Sequence, residues 1–223
     1  VYENIFHNGQ WIGIFQFTEG GAQKLAERTM PRSIVDLSAI TSIYRPGPLS
    51  ASVDKAYIKA VANPDDVDYL NETVREVTEE TYGFLIFQEQ IAKLAYELGD
   101  GITMDEANLL RKILTKKGTG KGHEVKEAIY DKFISGCVNK DIDKRSAKEL
   151  WQTFEYFSGY GFNKSHAVSY SIISYQCAWL CTYYKAEWVA SFLDKEPESR
   201  KEKAINLAKQ HGYKIKPLNI NYS

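Results

Sequence analysis

The stretch Tyr82-Gly-Phe-Leu-Ile-Phe-Gln-Glu-Gln-Ile-Ala-Lys-Leu-Ala-Tyr-Glu-Leu-Gly99 decides the fold class. Phe87, Ile91, Leu94, Ala95 and Leu98 recur at steps of three and four, which sets them on one face of an α-helix. Gly99 stands where such a helix ends. Outward from this segment the same spacing returns. Ile34, Leu37, Ile40 and Ile43 mark one helix, with Ser33 as its N-cap. Asp105–Lys117 carries Leu109, Leu110, Ile113 and Leu114 as its expected buried side. Val125, Ile129 and Phe133 mark the next helix. Asp143 caps another, with Leu150, Trp151, Phe154 and Phe157 inward. Short helices are expected over Ala22–Arg28, Asp54–Ala62 and Ser199–His211, and one long helix from near Ser165 toward Leu193. Ile12–Phe17, followed by the turn pair Gly20-Gly21, reads as a short strand, and Lys214–Ile220 as extended chain. Pro46-Gly47-Pro48 cannot continue a helix and is expected to hold Arg45 at a rigid turn. The expected fold is mainly α, a multi-helix domain with short extended segments at the N- and C-terminal ends.

Composition narrows the function. The chain has 223 residues, with 28 Lys+Arg against 29 Asp+Glu and a net charge of −1. Bulk polycation binding to nucleic acid is excluded, so any contact with a polyanion must come from a local basic cluster. Hydrophobic residues make up 43% and charged residues 26%, the balance of an ordinary globular domain. Cys137, Cys177 and Cys181 are odd in number. With no second Cys/His pair at ligand spacing, they read as small core residues in a reducing compartment. The chain opens on Val1 rather than Met, and has neither the basic start nor the apolar run of a secretion signal. Ala167–Tyr184 is uncharged over 18 residues, but Ser169, Ser171, Ser174, Gln176, Thr182 and four Tyr make it too polar to span a membrane. A helix buried in protein is expected there.

Two constellations carry chemistry. Between Glu106 and Glu124 stand Arg111, Lys112, Lys116, Lys117 and Lys121, with no acid among them. Lys112 and Lys116 share a face opposite the leucines. Such a face suits a triphosphate or a nucleic-acid backbone, or is simply a solvated surface with a lysine loop. Gly118-Thr-Gly-Lys-Gly122 is not a P-loop: Gly122 follows Lys121 where Ser/Thr is required, and Thr115 stands where the first glycine belongs. The second is Gly159-Tyr-Gly-Phe-Asn-Lys-Ser-His166. Here Asn163 or Ser165 can cap the long helix. Lys164 and His166 stand at an N-terminus that favours an anion, and Tyr160 and Phe162 offer stacking faces. An ordinary capped turn is the other reading. Asp65–Glu80 holds seven acids and one Arg, a solvated face expected to lie away from any anionic substrate. The Asp-x-Asp pairs, Asp66/Asp68 and Asp141/Asp143, sit in polar surroundings unlike those of a two-metal site.

Several segments, in order, resemble a known family. They are Gly13-Ile-Phe-Gln-Phe-Thr-Glu19, Tyr44-Arg-Pro-Gly-Pro-Leu49, Tyr82-Gly-Phe-Leu-Ile-Phe-Gln-Glu-Gln90, Ala107-Asn-Leu-Leu-Arg-Lys112 with Lys116-Lys117, and Gly159–His166. Ser174-Tyr-Gln176 with Trp179 and Ala186-Glu187, and Pro217-Leu-Asn-Ile-Asn221, extend the likeness across nearly the whole chain. Together they resemble bacterial replicative DNA polymerase III alpha subunits, the C family. The resemblance implies a palm-side connecting segment over residues 1–21 and a helical fingers domain over 22–223. Its partners would be a dNTP, primer-template DNA and the polymerase palm and thumb, in the cytoplasm of a bacterial or phage-infected cell. Mg2+ would be held by palm aspartates outside this chain, which alone would be inactive. It implies that Arg45, Arg111, Lys112, Lys116, Lys117, Asn163, Lys164, Ser165 and His166 face the nucleotide, with Lys121 and Tyr160 toward DNA. The chain departs from the family at Lys112, usually a second arginine, and at Lys185, usually a proline. A free-standing, non-catalytic DNA-binding or polymerase-assembly module is the alternative function.

Overall fold

The computed structural model describes residues 1–50, 52–115, 122–158 and 161–216. The described chain is mainly helical, as the periodicity implies. A π-helical turn, Tyr2–His7, is followed by α1 (Gly20–Thr29), α2 (Ile34–Ile43), α3 (Pro46–Ser50), α4 (Val53–Ala62) and α5 (Glu72–Thr78). Then come α6 (Gln88–Leu98), α7 (Met104–Thr115), α8 (His123–Asn139), α9 (Lys144–Ser158), α10 (Lys164–Tyr183), α11 (Lys185–Lys195) and α12 (Glu198–Gln210). Among the described residues, pairing of the β type is confined to a single bridge, Phe87 with Phe162.

The chain divides into two compact units, Ser33–Ser171 and Val1–Arg32 with Ile172–Ser223. In Ser33–Ser171 the core is built on the apolar stripe of α6, where Leu94, Ala95 and Leu98 are fully buried against Ala107, Leu110, Phe133 and Phe154. Phe133 and Phe154 approach to 5.2 Å between ring centroids, and Trp151 meets Tyr130 edge-on at 5.2 Å. Ser33 caps α2 as expected: its Oγ accepts from Asp36 N, while the Asp36 carboxylate accepts from Ser33 N. Asp143 Oδ1 accepts from the amides of Arg145 and Ser146 at the start of α9, and the Ser146 hydroxyl first, then these amides, hold its carboxyl below the usual range. On α7, Leu109 faces solvent and was misplaced by the spacing. The inward line is Ala107, Leu110 and Leu114, and Leu109 lies one 100° step off it. Pro46-Gly47-Pro48 ends α2 but opens α3, because a proline fits the first turn of a helix, where its missing N–H costs nothing.

The N-terminus of α7 predicts a pH dependence. Glu106 accepts from Thr103 N (2.8 Å), Thr103 Oγ1 (3.0 Å) and Lys132 Nζ on α8 (2.6 Å). With the Lys132 contact as the largest cause, its pKa falls from 4.5 to about 2. A depressed carboxyl stabilises the folded state at and above its unfolded pKa and loses that contribution as pH drops. Urea midpoints should therefore fall between pH 4.5 and about 2, and Glu106→Gln should flatten that part of the profile.

In the unit Val1–Arg32 with Ile172–Ser223, Phe6, Trp11 and Phe17 form an aromatic nucleus, with Phe17 stacked on Trp11 at 5.5 Å and edge-on to Phe6 at 5.3 Å. The strand expected over Ile12–Phe17 is instead a pair of turns. Gly13 (φ 70°) and Gln16 (φ 66°) take left-handed conformations that break an extended run, and side chains satisfy the carbonyls. Trp188 Nε1 donates to Ile12 O, and Ser174 Oγ to Phe15 O, each at 2.8 Å. Gly20 and Gly21 likewise form the first turn of α1 rather than a hairpin turn.

The single long helix is in fact two. Tyr184 (φ −131°, ψ 53°) leaves helical space, and α11 restarts at Lys185, the position where the family resemblance implies proline. The break lets Trp188, Val189 and Phe192 pack with Ile12. α10 is also less buried than expected. Ser171, Ser174, Ala178 and Cys181 point inward, while Ile172, Ile173, Trp179, Leu180, Tyr183 and Tyr184 stand exposed. Cys181 is buried and Cys177 half-buried, both free thiols, and burial pushes both above the ordinary thiol range. Among the described residues no helix is long and apolar enough to cross a membrane. Residues 214–216 have no regular structure, and the rest of the expected C-terminal extended segment lies outside the described residues.

Candidate functional site

The site begins with one buried glutamine. After α5, Tyr82 (φ 53°) and Gly83 (φ 83°) reverse the chain, and residues 84–86 run without regular structure to Phe87, just before α6. Their amides need partners, and Gln90, 4% exposed, supplies them. Its Oε1 accepts from Ile86 N and Phe87 N, both at 2.9 Å, and its Nε2 donates to Val77 O (3.2 Å) and Thr81 Oγ1 (2.7 Å). Every bond a side-chain amide can make is thus formed.

This rigid segment receives the turn that precedes α10. Gln88 N donates to Phe162 O and Phe162 N to Ile86 O, each at 3.0 Å, which makes the parallel bridge. Gln88 Nε2 adds a bond to Gly161 O at 2.8 Å. On the other side of Gln88, its Oε1 accepts from Arg111 Nη1 at 3.2 Å. The side chain of Gln88 therefore joins α7 to the 161–162 turn. Arg45, exposed just before α3, lays its guanidinium 4.5 Å from the centroid of the Phe162 ring. Phe162 also meets the His166 ring edge-on at 5.3 Å, and His166 lies against Tyr170 at 4.1 Å.

Asn163 caps α10: its Oδ1 accepts from His166 N (2.9 Å) and Ser165 Oγ (2.7 Å). The anion-favouring N-terminus expected there is already filled by the chain itself. Glu89 Oε1 accepts from Asn163 Nδ2 at 2.8 Å, and Oε2 from Lys164 N at 2.9 Å. The Lys164 ammonium is also engaged, 2.5 Å from Glu80 Oε1, with both side chains about a third exposed. Glu80 ends the acidic run that was expected to lie away from the site. Its charge is drawn in to pair with Lys164.

The structure thus links Arg45, Arg111, Asn163, Lys164, Ser165 and His166 through one chain of contacts. Lys112, next to Arg111 on α7, is exposed. Lys116, Lys117, Lys121 and Tyr160 lie outside the described residues. Glu80, Gln88, Glu89 and Gln90 were not anticipated as site residues. The signal that could have found them is the polar triplet Gln88-Glu-Gln90, directly after the apolar run Phe84–Phe87 at a helix start. Chemically the described part of the site offers guanidinium and imidazole groups on an aromatic backing. Among the described residues no group of three His, Cys, Asp or Glu could hold a metal ion. The nearby carboxylates, Glu80 and Glu89, are bonded to Lys164 and Asn163, so this donor set does not fit a catalytic metal.

Residues 1–141 match a family model, the bacterial DNA polymerase III alpha subunit finger domain. The chain belongs to the finger-domain family of bacterial DNA polymerase III alpha subunits. The DNA polymerase III subunit alpha of Aquifex aeolicus (strain VF5) is 36% identical over 226 residues, covering 100% of this chain and 19% of the relative. That of Rickettsia felis (strain ATCC VR-1525 / URRWXCal2) is 39% identical over 219 residues, covering 96% and 17%. That of Halalkalibacterium halodurans (strain C-125) is 32% identical over 218 residues, covering 96% and 19%. This finger-domain chain thus spans under a fifth of the length of these relatives. The matched residues include Arg45, Gln88–Gln90 and Arg111-Lys112, and the 161–166 turn lies in the part shared with the Aquifex relative.

Proposed function

We propose that this chain is the fingers portion of a replicative DNA-directed DNA polymerase, and that the surface around the Phe87–Phe162 bridge receives the triphosphate of an incoming dNTP. The observation that carries this reading is the linkage of Arg111, through Gln88, to the turn on which Arg45 and His166 converge. Arg111 and Lys112 neutralise the triphosphate, with Arg45 and His166 beside it. Asn163, Ser165 and Lys164 shape the pocket from the helix end, and Lys116 and Lys117, which follow α7 in the sequence, add charge. Lys121 and Tyr160 reach toward primer-template DNA. Residues 1–21 form a connection to the palm, and 22–223 form the fingers. The catalytic Mg2+ ions are held by residues of the palm, outside this chain. The contribution of the fingers is position and charge, acting in the cytoplasm with palm, thumb and DNA as partners. The whole polymerase transfers a nucleotidyl group to a primer 3′-OH.

Loss of one charge-assisted contact to a phosphate should weaken nucleotide capture about tenfold. Arg111→Ala in the complete polymerase is therefore expected to raise the KM for dNTP by about that factor, with the Kd for primer-template unchanged. A fall in DNA affinity at constant KM would reassign Arg111 to the DNA backbone.

A further inference from the structure

We infer that Glu89 is a positioning residue for the nucleotide site, a carboxylate clasp that fixes the N-terminus of α10 and with it the ring of His166; this rests on the nucleotide reading above. The two oxygens of Glu89 hold two different donors of the same helix end. Oε1 takes the side-chain amide of the N-cap residue Asn163, and Oε2 takes the first helical amide, Lys164 N. Asn163 in turn uses its Oδ1 on His166 N and Ser165 Oγ. The path from Glu89 to His166 is therefore Glu89 to Asn163 to the His166 amide, with each bond between 2.8 and 2.9 Å. Glu89 sits in the first turn of α6, two residues past Phe87 of the bridge that seats Phe162. Phe162 touches both Arg45 and His166, so the bridge and the clasp fix neighbouring parts of one surface.

A negative charge beside a triphosphate site is otherwise a liability. By Coulomb repulsion alone, removing it should draw the nucleotide in. As a clasp it has the opposite effect. A carboxylate accepts on both oxygens, whereas glutamine accepts on one and donates on the other. Glu89→Gln therefore sets an N–H₂ group against either Lys164 N–H or the Asn163 amide, and the helix end must shift. The sign of the KM change separates the two roles.

The test is made in the complete polymerase that carries this chain, with Glu89→Gln, Glu89→Asp and Arg111→Ala measured side by side. Glu89→Gln is expected to raise the dNTP KM about tenfold, with unchanged Kd for primer-template and faster amide exchange over residues 161–170. Glu89→Asp keeps the charge but shortens the reach by one methylene, so it is expected to raise KM as well. An unchanged or lowered KM in Glu89→Gln, with Arg111→Ala raised, overturns the clasp and leaves the nucleotide reading standing. A lowered value would make Glu89 a competitor for the phosphate position. If Arg111→Ala is silent too, the nucleotide reading falls and the clasp falls with it. Loss of folding in Glu89→Gln, judged by Tm, leaves Glu89→Asp to decide: an unchanged KM there also overturns the clasp.

Discussion

Gly136→Ala is expected to destabilise the chain by about 2–3 kcal/mol, in the middle of a helix where alanine would normally gain about 1 kcal/mol. The reason is contact with backbone. A Cβ at 136 would overlap Leu98 O, Gly99 C and Asp100 N. None of these is a side-chain end that could swing aside. They belong to the last residue of α6 and the connection that follows it, which is tied to α8 by Asp100 N donating to Lys132 O at 3.0 Å. Leu98 is fully buried, so the strain would pass into the core. Urea unfolding should show a lower midpoint with an unchanged slope. A more stable alanine variant would mean that α8 does not approach this connection closely.

Gln90→Leu is the second large effect, expected to cost about 3 kcal/mol or more, since each buried group left unpaired costs about 1–3 kcal/mol. Leucine matches the volume but abandons Ile86 N, Phe87 N and Val77 O together. Thr81 Oγ1 loses a donor but keeps its own bond to Phe84 O. The loss falls on the segment that forms the bridge to Phe162, so the damage should spread to residues 161–166. Gln90→Glu should be milder, because a carboxylate still accepts from Ile86 and Phe87 while facing Val77 O unfavourably. Equal midpoints for Gln90→Leu and the unmodified chain would show that the two amides find other partners.

Much of the helical layout was legible in residue spacing. α2 begins and ends at Ile34 and Ile43, where the Ser33 cap and the Arg45-Pro46 break put it. Asp143 was legible as a cap for the same reason: a short acceptor ahead of an apolar period has a local geometric use. The failures share a cause as well. Ile12–Phe17 has strand-like composition, but a strand needs a partner. Its carbonyls went to Trp188 and Ser174 instead. The end of α10 at Tyr183 left no mark in the composition, since Lys185 and Ala186 are good helix formers. In the site, the cations were visible because charge without neighbouring acid stands out in one dimension. Glu80 and Glu89 were not, because an acid on a helix start reads as a solvated residue until its partner is known.

The sequence by itself determined that this is a helical chain, where most of its helices begin, and that its cations gather around residues 111 and 164. Those properties follow from three- and four-residue steps and from caps, which act within a turn or two of the backbone. Only the tertiary structure decided which neighbours those cations meet. Gln88 reaches Gly161 across 73 residues, Glu89 reaches Asn163 across 74, and Glu80 reaches Lys164 across 84. These contacts turn Lys164 inward onto a carboxylate and close the helix end that looked open to a phosphate. Arg45 and His166 remain grouped around Phe162, with Arg111 joined to the same turn through Gln88. A hydrogen bond depends on distance and direction in space, and the spacing along the chain holds no record of which distant donor a carboxylate will meet.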